Sequence, residues 1–137
     1  MKHAVAISIC AVGAVVCVSA RSSTAAQIRS TVPVMIGGAE ASEGCAGTAL
    51  VTISTDSTLN MRAGPGTRHP VLARLAPGQS VTVCQRTRSG WVGVLVPRTK
   101  TRPRDCGASD AGPTPKAYTG ACDSGWVLEK YLRIEAG

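Results

Sequence analysis

From Thr48 onward the apolar residues recur at every second position, in short runs cut by glycine and proline. Ala49, Val51 and Ile53 alternate with Thr52 and Ser54, with Leu50 the exception, and Leu59 and Met61 alternate with Asn60 and Arg62. Val81 and Val83 alternate with Thr82 and Cys84, and Val92, Val94 and Val96 with Trp91, Gly93 and Leu95. Shorter apolar runs occupy 71–75, 125–128 and 132–134. A period of two puts alternate side chains on opposite faces of an extended strand, and β-branched residues favour that state. No window of a dozen residues carries a helical stripe. Gly64-Pro65-Gly66, Ala76-Pro77-Gly78 and the polar stretch 86–90 punctuate the runs as turns. The pattern therefore predicts an all-β chain of short strands, and its 137 residues suggest one domain, not two.

The start of the chain reads differently. Met1-Lys2-His3 is short and basic, 4–18 is apolar except for Ser8, and Val18-Ser19-Ala20 and Thr24-Ala25-Ala26 offer small residues for cleavage. That order predicts a secretory signal peptide over 1–26. The apolar run is too short for a spanning helix, which needs roughly 20 residues, so no stable membrane span is expected after cleavage. The expected location is secreted or periplasmic. Residues 27–47 read as a linker or arm, rich in small polar residues, with Gly37-Gly38 and Pro33. Its one apolar segment, Val32 to Ile36, either lies on the domain or stays unordered. The domain itself is expected over 48–137, with an insertion at 97–121.

Export changes the meaning of the cysteines. Cys10 and Cys17 leave with the leader, and Cys45, Cys84, Cys106 and Cys122 remain. No pair has the CxxC spacing of a zinc or redox site, and His69 is the only histidine after cleavage, so no metal or cofactor is expected. Four cysteines in an oxidising compartment read as two disulfides, for which three pairings exist. Cys106–Cys122 is favoured, leaving Cys45–Cys84. The insertion holds four prolines and three glycines and has almost nothing to bury, and a bridge between Cys106 and Cys122 would restrain it.

The full chain carries +7. Removing Lys2 and Arg21 leaves 13 basic against 8 acidic residues, about +5. Basic residues concentrate only at Arg98, Lys100, Arg102 and Arg104, which would project from one side of an extended segment toward a polyanion. No aromatic interleaves with them, so a nucleic-acid partner is not expected. Enzymatic chemistry also lacks residues. A Cys or Ser nucleophile needs a base, and His69, beside Pro70 in a loop, is the sole candidate. Asp123 and Glu129 could be neighbours, but no carboxylate pair is placed for glycosidic work.

The stretch Leu59-Asn60-Met61-Arg62-Ala63-Gly64-Pro65-Gly66-Thr67 looks like the "LNVRSGPST" signature of bacterial SH3-type (Src-homology-3-like) domains. The resemblance continues through His69-Pro70-Val71-Leu72, Leu75 with Gly78, Val81-Thr82-Val83, Gly90-Trp91, Gly125-Trp126-Val127 and Tyr131-Leu132. These blocks stand in the family's order and cover most of 48–134. The insertion, the four cysteines and the N-terminal arm depart from the family pattern. The resemblance implies a small SH3-like barrel of five to six short strands, here with a disulfide-restrained insertion before the last strands. It also implies a non-enzymatic binding module, since many members attach to peptidoglycan peptides or sit beside cell-wall hydrolases. The expected partner is peptidoglycan or another cell-envelope component; the alternative is an interaction or inhibitory module acting on an envelope or secreted protein. The candidate ligand-binding residues are Asn60, Arg62, Gly64, Pro65, Gly66, Thr67, Trp91 and Tyr131. Asn60 and Arg62 would brace the glycine-proline loop. Trp91 would stand outward with Leu95 around Gly93, as an apolar strip open to a partner or covered by the insertion and Tyr118. Tyr131 occupies the place where related barrels hold a ligand-facing aromatic.

Overall fold

The computed structural model describes residues 31–38, 45, 47–98, 106–108 and 111–135. The expected leader and the basic residues Lys100, Arg102 and Arg104 lie outside the described residues. The strands are β1 (Met35–Ile36), β2 (Thr48–Val51), β3 (Leu59–Arg62), β4 (Val71–Leu75), β5 (Ser80–Arg86), β6 (Trp91–Val96), β7 (Lys116–Ala117), β8 (Asp123–Leu128) and β9 (Leu132–Ile134). One 3-10 turn, Glu129–Tyr131, separates β8 from β9. The described residues contain no α-helix, and the all-β class holds.

Seven strands form one antiparallel sheet in the order β4-β3-β8-β6-β5-β2-β9, and β1 pairs with β7 in a second, two-stranded sheet. The edge strands β4 and β9 are not hydrogen-bonded to each other, so the barrel is open. It nonetheless curls around one interior. Ala49 and Val51 near one edge share a core with Leu59 and Leu75 at the other, and with Met61, Val81, Val83, Val92, Val94, Val96 and Val127. Register shifts at Met61/Arg62 and Val83/Gln85 are irregularities of the kind that bend a strand and raise its twist. Each fully buried valine or leucine contributes about 1.5–3 kcal/mol.

Alternation puts the other face of β6 and β8 outside this interior, and there an outer layer covers the Trp91–Leu95 strip with the insertion and Tyr118, one of the two readings of that strip, and with the arm as well. Trp91, Leu95 and Trp126 pack with Val34 and Ile36 of the arm and with Cys106, Ala108, Ala111, Tyr118 and Cys122 of the insertion. The apolar strip is therefore covered, and every residue of β6 is buried. The expectation that the insertion has almost nothing to bury is corrected. Its small side chains and its disulfide sulfurs fit closely against the sheet, and the Tyr118 hydroxyl donates to Cys106 O (2.7 Å) and accepts from Cys122 N–H (3.0 Å).

The arm docks by shape and by hydrogen bonds. Gly93 leaves a notch between Trp91 and Leu95, and Val34 fills it: a Cβ on Gly93 would lie 2.9 Å from Val34 Cγ1. The Trp126 indole N–H donates to Val32 O (2.8 Å), Met35 N–H to Gln85 Oε1 (3.0 Å), and Tyr118 N–H to Val34 O (2.9 Å). Of the two readings of this apolar segment, the one that lays it on the domain is correct. Both bridges form as favoured, Cys106–Cys122 inside the insertion and Cys45–Cys84 between the arm's end and β5.

Candidate functional site

β3 and β8 pair only at Arg62 and Trp126. Beyond that point, toward Leu59 and Leu128, no pairing joins the two strands, and a cavity of about 880 Å3 occupies the gap. One wall is the β2–β3 loop, with Thr52, Ile53, Ser54, Ser57 and Thr58. Leu59, Asn60, Arg62 and Thr67 form a second side, and Trp91, Leu128 and Tyr131 a third.

The second side is stiffened by its own backbone and by Arg62. Ala63 N–H donates to Pro70 O (2.9 Å), Gly66 N–H to Gly64 O (2.9 Å) and His69 N–H to Gly66 O (3.3 Å). The Arg62 guanidinium bridges two carbonyls of this loop, Thr67 O at 3.1 Å and His69 O at 2.9 Å. Gly64 is buried, and a Cβ there would fall on the His69 imidazole. The loop thus requires glycine at 64 for close approach of the ring, and His69 is half-buried against the loop.

The third side is aromatic. Trp91 is 9% exposed, so it belongs to the outer layer and only part of it borders the groove. Its backbone N–H donates to Thr87 Oγ1 (3.1 Å). Tyr131 packs against the inner core, and its carbonyl accepts from Thr52 N–H (2.8 Å), which ties the β2–β3 loop to the 3-10 turn. The Lys130 ammonium stands 4.9 Å from the Tyr131 ring centroid, a cation–π contact.

Of the residues that line the groove, Arg62 alone is charged. Among the described residues no carboxylate lines it. Asp56 of the β2–β3 loop is exposed and outside the lining, and Glu129 Oε1 is held by Arg86 Nε at 2.9 Å. Asp123 pairs with Arg98 at 2.7 Å at the opposite end of β8, so the two acids are not neighbours. Arg74 sits directly across from Asn60 in the β3–β4 register, hence on the same face. Among the described residues no three His, Cys, Asp or Glu side chains gather as a metal site. Hydroxyls, an amide, an aromatic wall and flanking cations suit a peptide or sugar surface that is neutral or anionic, and make a poor place for a cation.

Asn60, Arg62, Thr67, Trp91 and Tyr131 come together on this one groove, while Gly64, Pro65 and Gly66 form the loop behind Thr67 and are not in its lining. The sequence reading missed the β2–β3 loop and Leu128. The run Ser54 to Thr58 announces a loop by its small polar residues, but its position against Tyr131 depends on the Thr52–Tyr131 hydrogen bond. The family model described as "Bacterial SH3 domain" matches residues 57–133, more than half of the chain. No curated protein and no solved structure matches it.

Proposed function

Because the chain belongs to the bacterial SH3 domain family, a family of binding modules, we propose that it is an exported, non-enzymatic module that recognises peptidoglycan through the groove between β3 and β8. The observation that carries this reading is the convergence of Asn60, Arg62, Thr67, Trp91 and Tyr131 on one cavity without a lining carboxylate among the described residues. Stem peptides of peptidoglycan present amides and carboxylates on an extended chain. The Ser and Thr hydroxyls and Asn60 match the amides, and the Arg62, Arg74 and Lys130 surroundings match the carboxylates. Tyr131, with the part of Trp91 that borders the groove, supplies apolar area with few rotors. Two disulfides accord with an oxidising, extracytoplasmic location, with the leader at 1–26, the arm at 27–47 and the binding domain at 48–137.

Co-sedimentation with insoluble sacculi tests it. Binding that survives moderate salt, and is lost in Trp91→Ala and in Tyr131→Ala variants that keep the wild-type circular dichroism, supports the reading. Binding that disappears with moderate salt alone points instead to a polyanion held by the basic insertion. A second reading, an envelope or secreted protein partner, is favoured by the edge strand β4, where Val71 and Leu72 are 39% and 52% exposed. Absence of sedimentation under every condition, with one protein recovered reproducibly from envelope extracts, would replace the first reading by the second.

A further inference from the structure

One segment reaches both sides of the groove from behind. Val34 fills the notch at Gly93, two residues along the same face of β6 from Trp91, and shares the outer cluster with it. Two residues earlier, Val32 N–H donates to Ala63 O at 2.7 Å. Ala63 follows Arg62 and opens the loop that carries Thr67. The same Val32 accepts at its carbonyl from the indole of Trp126, the residue that faces Arg62 at the only β3–β8 pairing. The hinge point of the splay between β3 and β8 is therefore held by Val32, and the aromatic wall is backed by Val34.

We infer that residues 32–36 act as a strut that fixes the groove, with Val32 and Val34 as positioning residues for the Arg62–Thr67 side and for Trp91. None of residues 32–36 lines the groove, so their effect passes through Ala63, Trp126 and the Gly93 notch. An arm that only thickened the core would stabilise the fold without setting the spacing of the two sides. The effect on ligand rests on the groove being the binding site; the effect on Trp91 does not.

The chain has two tryptophans, so 5-fluorotryptophan labelling gives two 19F resonances, assigned by Trp91→Phe. Val34→Ala loosens the notch. Val32→Pro deletes the N–H given to Ala63 at an exposed position, with little change to the core. Both variants are expected to shift and broaden the Trp91 resonance and to weaken sacculus binding several-fold, whereas Val34→Ile, which keeps the notch filled, is expected to leave both near the wild type. Tyr118→Phe keeps the ring and the N–H given to Val34 O and removes only the two hydroxyl hydrogen bonds to Cys106 and Cys122, and it should lower stability while leaving the Trp91 resonance and the binding unchanged. An unmoved Trp91 resonance in Val34→Ala and Val32→Pro overturns the strut, as does an equal shift in Tyr118→Phe. If the wild type fails to sediment, the proposed ligand falls, and the 19F spectra still decide the strut.

Discussion

The fit of Val34 over Gly93 can be measured as a coupling energy. In Gly93→Ala the new Cβ would meet Val34 Cγ1 at 2.9 Å, Val34 Cγ2 at 3.2 Å and Gln85 Cβ at 3.4 Å. Carbon atoms rest at about 3.5–4.0 Å. Valine is stiff at χ1, so rotation offers little relief, and the arm must lift off the sheet. Overpacking of this kind costs about 1–3 kcal/mol. Val34→Ala removes two methyl groups from a site that is 2% exposed, a loss of about 2 kcal/mol once the residual cavity is included. In the double variant the shortened side chain at position 34 leaves room for the methyl group added at position 93, so the clash vanishes and its cost with it. The two losses should therefore fall short of additivity by at least about 1 kcal/mol. Urea unfolding of the oxidised protein, followed by circular dichroism, measures all four species, and each kcal/mol corresponds to about 4–8 °C in Tm for a domain this small. Losses that add within about 0.5 kcal/mol would show that the valine does not sit in the notch.

Replacing Cys106 and Cys122 by alanine should remove about 3 kcal/mol, and replacing Cys45 and Cys84 somewhat more, because the loops they close span separations of 16 and 39 residues; denaturant midpoints of the two double variants check the order. Gly64→Ala should disorder the 63–69 loop, since the methyl group competes with the His69 ring, and amide exchange at Gly66 and His69 reports it. Arg98→Ala should change stability by less than about 1 kcal/mol, because the Arg98–Asp123 pair is well exposed at both ends; a larger shift in thermal unfolding would contradict that reading.

The inner barrel was legible because its information is local. Leu59–Arg62 and Val71–Leu75 form strands over the residues that the alternation and the apolar run mark, and each is long enough to show its pattern. The outer layer was legible only in part: its cover by the insertion and Tyr118 was one of two readings of the Trp91–Leu95 strip, while the share of Val34 and Ile36 in it had no sign in the pattern. β1 and β7 are two residues each, too short to carry any period, and they pair residues as far apart in sequence as Ile36 and Lys116. Trp91 illustrates the limit on the site. Alternation correctly placed it opposite Val92, but whether that face was open depended on Val34, Ile36 and Tyr118, which approach it from distant segments. Arg62 was easier, since a long cation flanking a glycine-proline turn finds that turn's carbonyls nearby. The Ser54 to Thr58 side of the groove comes from a hydrogen bond between residues 52 and 131, a pairing with no local sign.

The Cys45–Cys84 bridge moves the anchor of the docked arm back from Thr48 of β2 to Cys45, which shortens its tether from twelve residues to nine. Ile36 is only nine residues from Cys45, a tether that reaches about 30 Å at full stretch. An arm that peels away stays within that radius of its seat and faces it at a millimolar effective concentration. Recapture is then a first-order event, indifferent to dilution of the protein, and a rival segment from solution must outcompete a neighbour that never leaves.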